Sequence, residues 1–156
     1  MTKKPTFTAN EAIQFLELVQ SHGTNMYQDI PRLKSVLDYV FRAYMPHQPI
    51  FGYSEQAKKE FDSLQTNLPI EDVIWANQTK FDYRRRIFHL EHANPVGTLL
   101  DRIFLKGENV RKVFEDCIVI LITKAENKEL NKKYKSTRPG GWQLCYKKCR
   151  ISVTKV

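Results

Sequence analysis

The sequence predicts an α+β fold, with a helical N-terminal half and a C-terminal half that mixes strands with helices. Three observations predict it. Apolar residues recur at helical spacing through the first half. The Thr-x-x-Glu spacing of a capping box occurs at Thr8 and Glu11 and again at Thr123 and Glu126. Between the two boxes, residues 117–122 form a continuous apolar, largely β-branched run with the length of a buried strand.

In chain order, Thr8 and Glu11 open a first helix whose apolar face is Ile13, Leu16 and Val19, and Gly23 ends it. Pro31 suits the first turn of a second helix carrying Val36, Leu37, Val40, Phe41 and Tyr44, which Pro46 and Pro49 break. Ser54 caps a third helix over 55–64, and a short fourth follows Pro69 over 70–75. Residues 81–91, aromatic and β-favouring, read as one or two strands. Asn94-Pro95 ends them, because proline cannot donate to a ladder and constrains the residue before it. Short helices over 98–105 and 108–114 flank Gly107, and the 117–122 strand leads into a helix over 125–134. Arg138-Pro139-Gly140-Gly141 is a turn, and 142–146 and 150–153 are two final strands. The expected organisation is a helical scaffold over 1–78 and a second region over 79–156, joined in one compact unit.

Several classes of protein are excluded. No apolar run approaches the ~20 residues of a membrane-spanning helix, and Met1-Thr2-Lys3-Lys4 leads into polar residues rather than a signal sequence. Three cysteines with no Cys-x-x-Cys pair argue against a disulfide framework and a standard zinc finger. The expectation is a cytoplasmic protein with reduced thiols. Charge is more informative: residues 1–78 carry 7 Lys and Arg against 9 Asp and Glu, whereas 79–156 carry 18 against 8. A net of +10 on one half suggests a face for a polyanion.

The chemistry-bearing stretch is His89-Leu90-Glu91-His92-Ala93-Asn94-Pro95, followed by a strand and then by Asn127 in the first turns of a helix. Glu91-His92 with Pro95 after it, in the order strand, strand, helix, resembles the HNH or ββα-metal nuclease family over about residues 81–134. That resemblance implies a metal-dependent endonuclease acting on DNA, of the kind found among restriction endonucleases. It implies catalytic roles for His92, Glu91 and Asn127. It departs from the family in its long 92–127 segment, in lacking a clear middle Asn and in lacking paired zinc-binding cysteines.

A neutral imidazole at His92 suits proton abstraction from water near neutral pH. Glu91 and the amide oxygen of Asn127 suit Mg²⁺ or Mn²⁺. His89, on the Glu91 face, is a further ligand, a group that orients one, or a hydrogen-bonded histidine between strands. Strand alternation sets a condition: His89 and Glu91 share one face and His92 the other, so convergence needs the strand to end or bulge there. Arg84, Arg85, Arg86, Lys128 and Arg138 are the residues expected to contact nucleic acid. Cutting both strands from one centre requires a homodimer or sequential nicking. The rival readings are a basic nucleic-acid-binding module without catalysis and a regulator whose basic face meets an acidic protein.

Overall fold

In the computed structural model, which describes residues 8–23, 25–44 and 47–156, four strands and eight helices follow in the order α1 (Ala9–Ser21), α2 (Asn25–Asp29), α3 (Pro31–Tyr44), β1 (Gly52–Ser54), α4 (Glu55–Ser63), β2 (Phe88–His92), α5 (Val96–Phe104), α6 (Val110–Glu115), β3 (Val119–Thr123), α7 (Lys124–Tyr134), α8 (Trp142–Lys148) and β4 (Val153–Lys155). The chain divides into two compact units, Met1–Pro46 with Val96–Cys117, and His47–Pro95 with Ile118–Val156. No boundary falls at 78/79. The reasons are that β1 belongs to the sheet, and that the two helices between β2 and β3 join the N-terminal ones.

The first unit is all helical. The expected capping box is formed at α1, where Thr8 Oγ1 accepts from the Glu11 amide and the Glu11 carboxylate accepts from the Thr8 amide. Ala12 and Leu16 of α1 pack with Leu37, Val40 and Phe41 of α3 and with Leu99, Ile103 and Phe104 of α5. Each of the larger of these side chains stabilises the unit by ~1.5–3 kcal/mol through apolar burial. The Gln20 amide donates to the Ile103 carbonyl, which the end of α5 leaves open, and to the Glu108 carbonyl in the connection to α6. Pro31 stands at the first position of α3 as expected, and Pro46 lies outside the described residues.

The second unit is a four-stranded sheet in the order β2-β3-β1-β4. β2 pairs antiparallel with β3, β3 parallel with β1, and β1 antiparallel with β4. Helices cover both faces, which is why all five residues of β3 are buried and why its sequence is a solid apolar run. On one face Phe88, Leu90, Val119 and Leu121 pack with Ala57 and Phe61 of α4. On the other, Ile120 and Ile122 pack with Leu130 of α7 and Tyr146 of α8. Gly52 is required where β1 meets β4, since a Cβ there would lie 2.4 Å from the Thr154 carbonyl oxygen.

Three expected strands are corrected. Only 88–92 of the 81–91 stretch is strand. Ahead of it the buried Asp82 carboxylate takes the amides of Arg86, Ile87 and Phe88, and Arg84 and Arg85 are left-handed. Residues 142–148 are helical, with Trp142 stacked edge-on to Tyr146 one turn later at 5.3 Å. The last strand is 153–155, beyond a left-handed Arg150.

The second capping box is formed and extended. Thr123 Oγ1 accepts from the Glu126 amide, and Glu126 Oε2 accepts from the Thr123 amide, from the Thr123 hydroxyl and from the Ser54 hydroxyl. Ser54, fully buried, also accepts from the Ala57 amide as the cap of α4. One carboxylate oxygen therefore ties the ends of the parallel strands β1 and β3 to the starts of α4 and α7. Ser54→Ala is expected to lower unfolding free energy by about 1–3 kcal/mol. In urea titrations this appears as a lower midpoint with an unchanged slope.

Candidate functional site

β2 is an edge strand of the sheet, and it runs as regular strand through His92, which pairs with Val119. The Ala93 amide continues the ladder to the Ile118 carbonyl. No bulge intervenes, so period-two alternation holds to the end. Phe88, Leu90 and His92 take the α4 face, and His89 and Glu91 take the face on which α7 and α8 lie. The condition for convergence is not met. Asn127, on α7, is on the opposite side of the sheet from the buried His92 side chain.

What does come together is His89, Glu91 and Arg138. Glu91 Oε2 is 3.0 Å from His89 Nε2, and the Arg138 guanidinium donates to Glu91 Oε1 at 2.5 Å. The Glu91 side chain is 13% exposed, that of Arg138 4% and that of His89 33%. Burial alone would raise the Glu91 carboxyl. The hydrogen bond from His89, with the charges of His89, Arg138 and His92, outweighs that and holds it below the usual carboxylate range.

Arg138 also donates to the Lys135 and Thr137 carbonyls, so it fastens the loop after α7 onto β2. Its guanidinium serves the interior of the unit, which corrects the expectation that it faces phosphate. Behind it the Tyr146 hydroxyl is buried without a hydrogen-bond partner. Burial and then the charge of Glu91 raise the Tyr146 pKa, so this phenol stays neutral.

The oxygens of the expected metal ligands Glu91 and Asn127 have partners within the fold. Both Glu91 oxygens are engaged by cationic or N–H groups, and the Asn127 amide oxygen accepts from Asn131 at 3.3 Å. Among the described residues no group of three or more His, Cys, Asp and Glu is arranged to hold a metal. Chemically, the cluster offers an imidazole oriented by a carboxylate, with Nδ1 as the ring nitrogen that Glu91 does not engage.

The basic residues are arranged more tellingly. Residues 124–156 carry ten Lys and Arg against two Glu, which equals the whole chain's net +8. Lys124, Lys128 and Lys132 are exposed at i, i+4 and i+8 along α7, and Lys135 follows at its end. Arg84 and Arg86 are exposed and Arg85 half-buried in a turn ahead of β2. Two aromatic rings, partners that sequence reasoning passed over, stand against that turn, Tyr83 within it and Trp75 from the segment before it. The Arg85 guanidinium lies 3.8 Å from the Trp75 ring centroid, and those of Arg84 and Arg86 lie 5.1 and 5.8 Å from that of Tyr83. The available signal was an aromatic residue directly before three arginines. An open depression of about 390 Å³ between Tyr53, Phe61 and Ile70 is lined by none of the candidate residues.

Removing Arg138 strands a buried carboxylate. Arg138→Ala is expected to cost about 3–5 kcal/mol of stability at neutral pH. The pH dependence has a definite sign. A carboxyl held low in the fold contributes stability above its unfolded pKa and loses it as pH falls through the folded value. In Arg138→Ala the folded value rises toward or past the unfolded one, so urea midpoints measured from about pH 7 down to pH 3 should fall less steeply than in the wild type, and the variant's deficit should narrow as Glu91 is protonated.

Comparison with protein-family models, with curated protein sequences and with solved structures finds no match to this chain.

Proposed function

We propose that the second unit binds nucleic acid, engaging the phosphate backbone through the α7–α8 layer. One observation carries the reading: the chain's entire net charge is concentrated in residues 124–156, with an unpaired lysine stripe along α7. Like charges at i, i+4 destabilise a helix by ~0.2–0.5 kcal/mol per pair. Lys124 moreover sits at the first helical position, where the helix dipole opposes a cation. None of the ion pairs among the described residues uses Lys124, Lys128 or Lys132. A polyanion relieves that repulsion, and its counterions are released on binding.

Binding measured by fluorescence anisotropy across a salt series is expected to weaken linearly in log–log form, with a slope of about −0.7 to −0.9 per phosphate neutralised. Charge reversal at Lys128 and Lys132 together should weaken affinity by about tenfold or more and flatten that slope. EDTA should change nothing, and neither should His92→Ala. Salt-independent binding, or full affinity in the reversed variant, would overturn the reading.

A second reading, a metal-dependent endonuclease, is favoured by a specific observation. β2, β3 and α7 occur in ββα order with the helix over both strands, and an acid–imidazole pair stands on that same face. In this reading the base is His89, and Glu91 positions its ring. Plasmid incubated with Mg²⁺ or Mn²⁺, with EDTA as control, separates the two. Cleavage that falls about 10²-fold or more in His89→Ala, yet survives His92→Ala, supports the nuclease. Intact plasmid beside measurable binding supports the binding module.

A further inference from the structure

We infer that the turn ahead of β2 is a stacking platform for unpaired bases, so that the nucleic acid favoured by this unit is single-stranded; the inference rests on the nucleic-acid reading above. Tyr83 is 68% exposed and Trp75 40% exposed, both unusual for large aromatic side chains on a folded unit. Three arginines attend them. The Arg85 guanidinium lies over the Trp75 ring and donates to the Trp75 carbonyl, while Arg84 and Arg86 lie beside the Tyr83 ring. Aromatic faces beside cations are the two components of sequence-tolerant single-strand binding, in which bases stack on the rings and phosphates meet the charges. A duplex keeps its base faces covered and offers such a surface only its backbone.

The turn is built rather than incidental. Arg84 and Arg85 both have positive φ, at 57° and 51°, a conformation that side chains other than glycine rarely adopt. Asp82 imposes it. Its carboxylate, 1% exposed, accepts the amides of Arg86, Ile87 and Phe88 and a hydrogen bond from the Gln78 side chain. The backbone that presents these side chains is thus set before any ligand arrives. The platform also adjoins the lysine stripe, because the Lys124 amide donates to the Ile87 carbonyl at 2.8 Å. A strand whose bases rest on Tyr83 can continue its phosphates toward Lys124.

The test compares a labelled oligothymidylate of about 20 nucleotides, longer than one binding footprint, with a duplex of equal length at low salt. Tyr83→Ala is expected to weaken single-strand binding about tenfold while leaving duplex binding unchanged, and Tyr83→Phe to retain the wild-type preference. Arg84→Gly provides a readout that a purely structural role would not give. Glycine relieves the positive φ, so the thermal midpoint should rise while single-strand affinity falls several-fold. If the wild type binds and Tyr83→Ala alters both substrates equally or neither, the platform is refuted and the binding reading stands. If the wild type binds neither substrate, both are refuted.

Discussion

The unbroken pleat of β2 is the constraint on which the second unit's chemistry depends. As an edge strand β2 has one hydrogen-bonded neighbour, yet five consecutive pairs with β3 hold it regular from Phe88 to His92. A single bulge would rotate His92 to the face of Glu91 and assemble a different site. Without it, Leu90 and His92 lie on the α4 side, and Glu91 is left with His89 and Arg138 for company. Asp82 sets where that pleat starts, because the Phe88 amide that it captures belongs to the first residue of the strand.

The Glu91–Arg138 pair illustrates why a buried charge is weak evidence of catalysis. Desolvation costs several kcal/mol per ion and is offset only by close, well-directed partners. Here Glu91 has His89 on one oxygen and Arg138 on the other, and Arg138 spends further donors on two carbonyls. The arrangement is that of a clasp, fixing the 135–138 loop against the sheet. The lysines of α7 behave oppositely. They are exposed and aligned, and no ion pair among the described residues uses Lys124, Lys128 or Lys132, so like charges at this spacing cost the helix stability.

What was legible in the sequence was whatever a few neighbouring residues determine alone. Both capping boxes, the Ser54 cap, the break at Pro95 and the buried strand at β3 follow from local hydrogen bonding or a solid apolar run. β1 was not legible. Three residues are too few for periodicity, and Gly52 is there because the Thr154 carbonyl crowds it from 102 positions away. α8 was misread as a strand although Trp142, Cys145, Tyr146 and Cys149 recur at helical spacing. In the site, the pairing of His89 with Glu91 was within reach of alternation, and the capture of Glu91 by Arg138 was not. That contact joins residues 47 apart and depends on where a loop returns.

The Arg84–Arg86 turn shows how a local rule fails where a distant group overrides it. Aromatic and β-favouring neighbours argue for a strand there, and three arginines in alternation would have pointed to opposite faces of it. Asp82 instead takes three successive amides that a ladder would have used, and the chain must turn left-handed to deliver them. Each left-handed arginine costs on the order of 1–3 kcal/mol, which the buried carboxylate's hydrogen bonds offset, since bonds to a charged acceptor contribute about 1.5–3 kcal/mol apiece. The consequence is spatial. Guanidinium groups that a strand would have dispersed are gathered around Tyr83 and Trp75 and joined through Ile87 to the start of α7. A charge run expected on a strand thereby comes to stand beside two exposed aromatic rings.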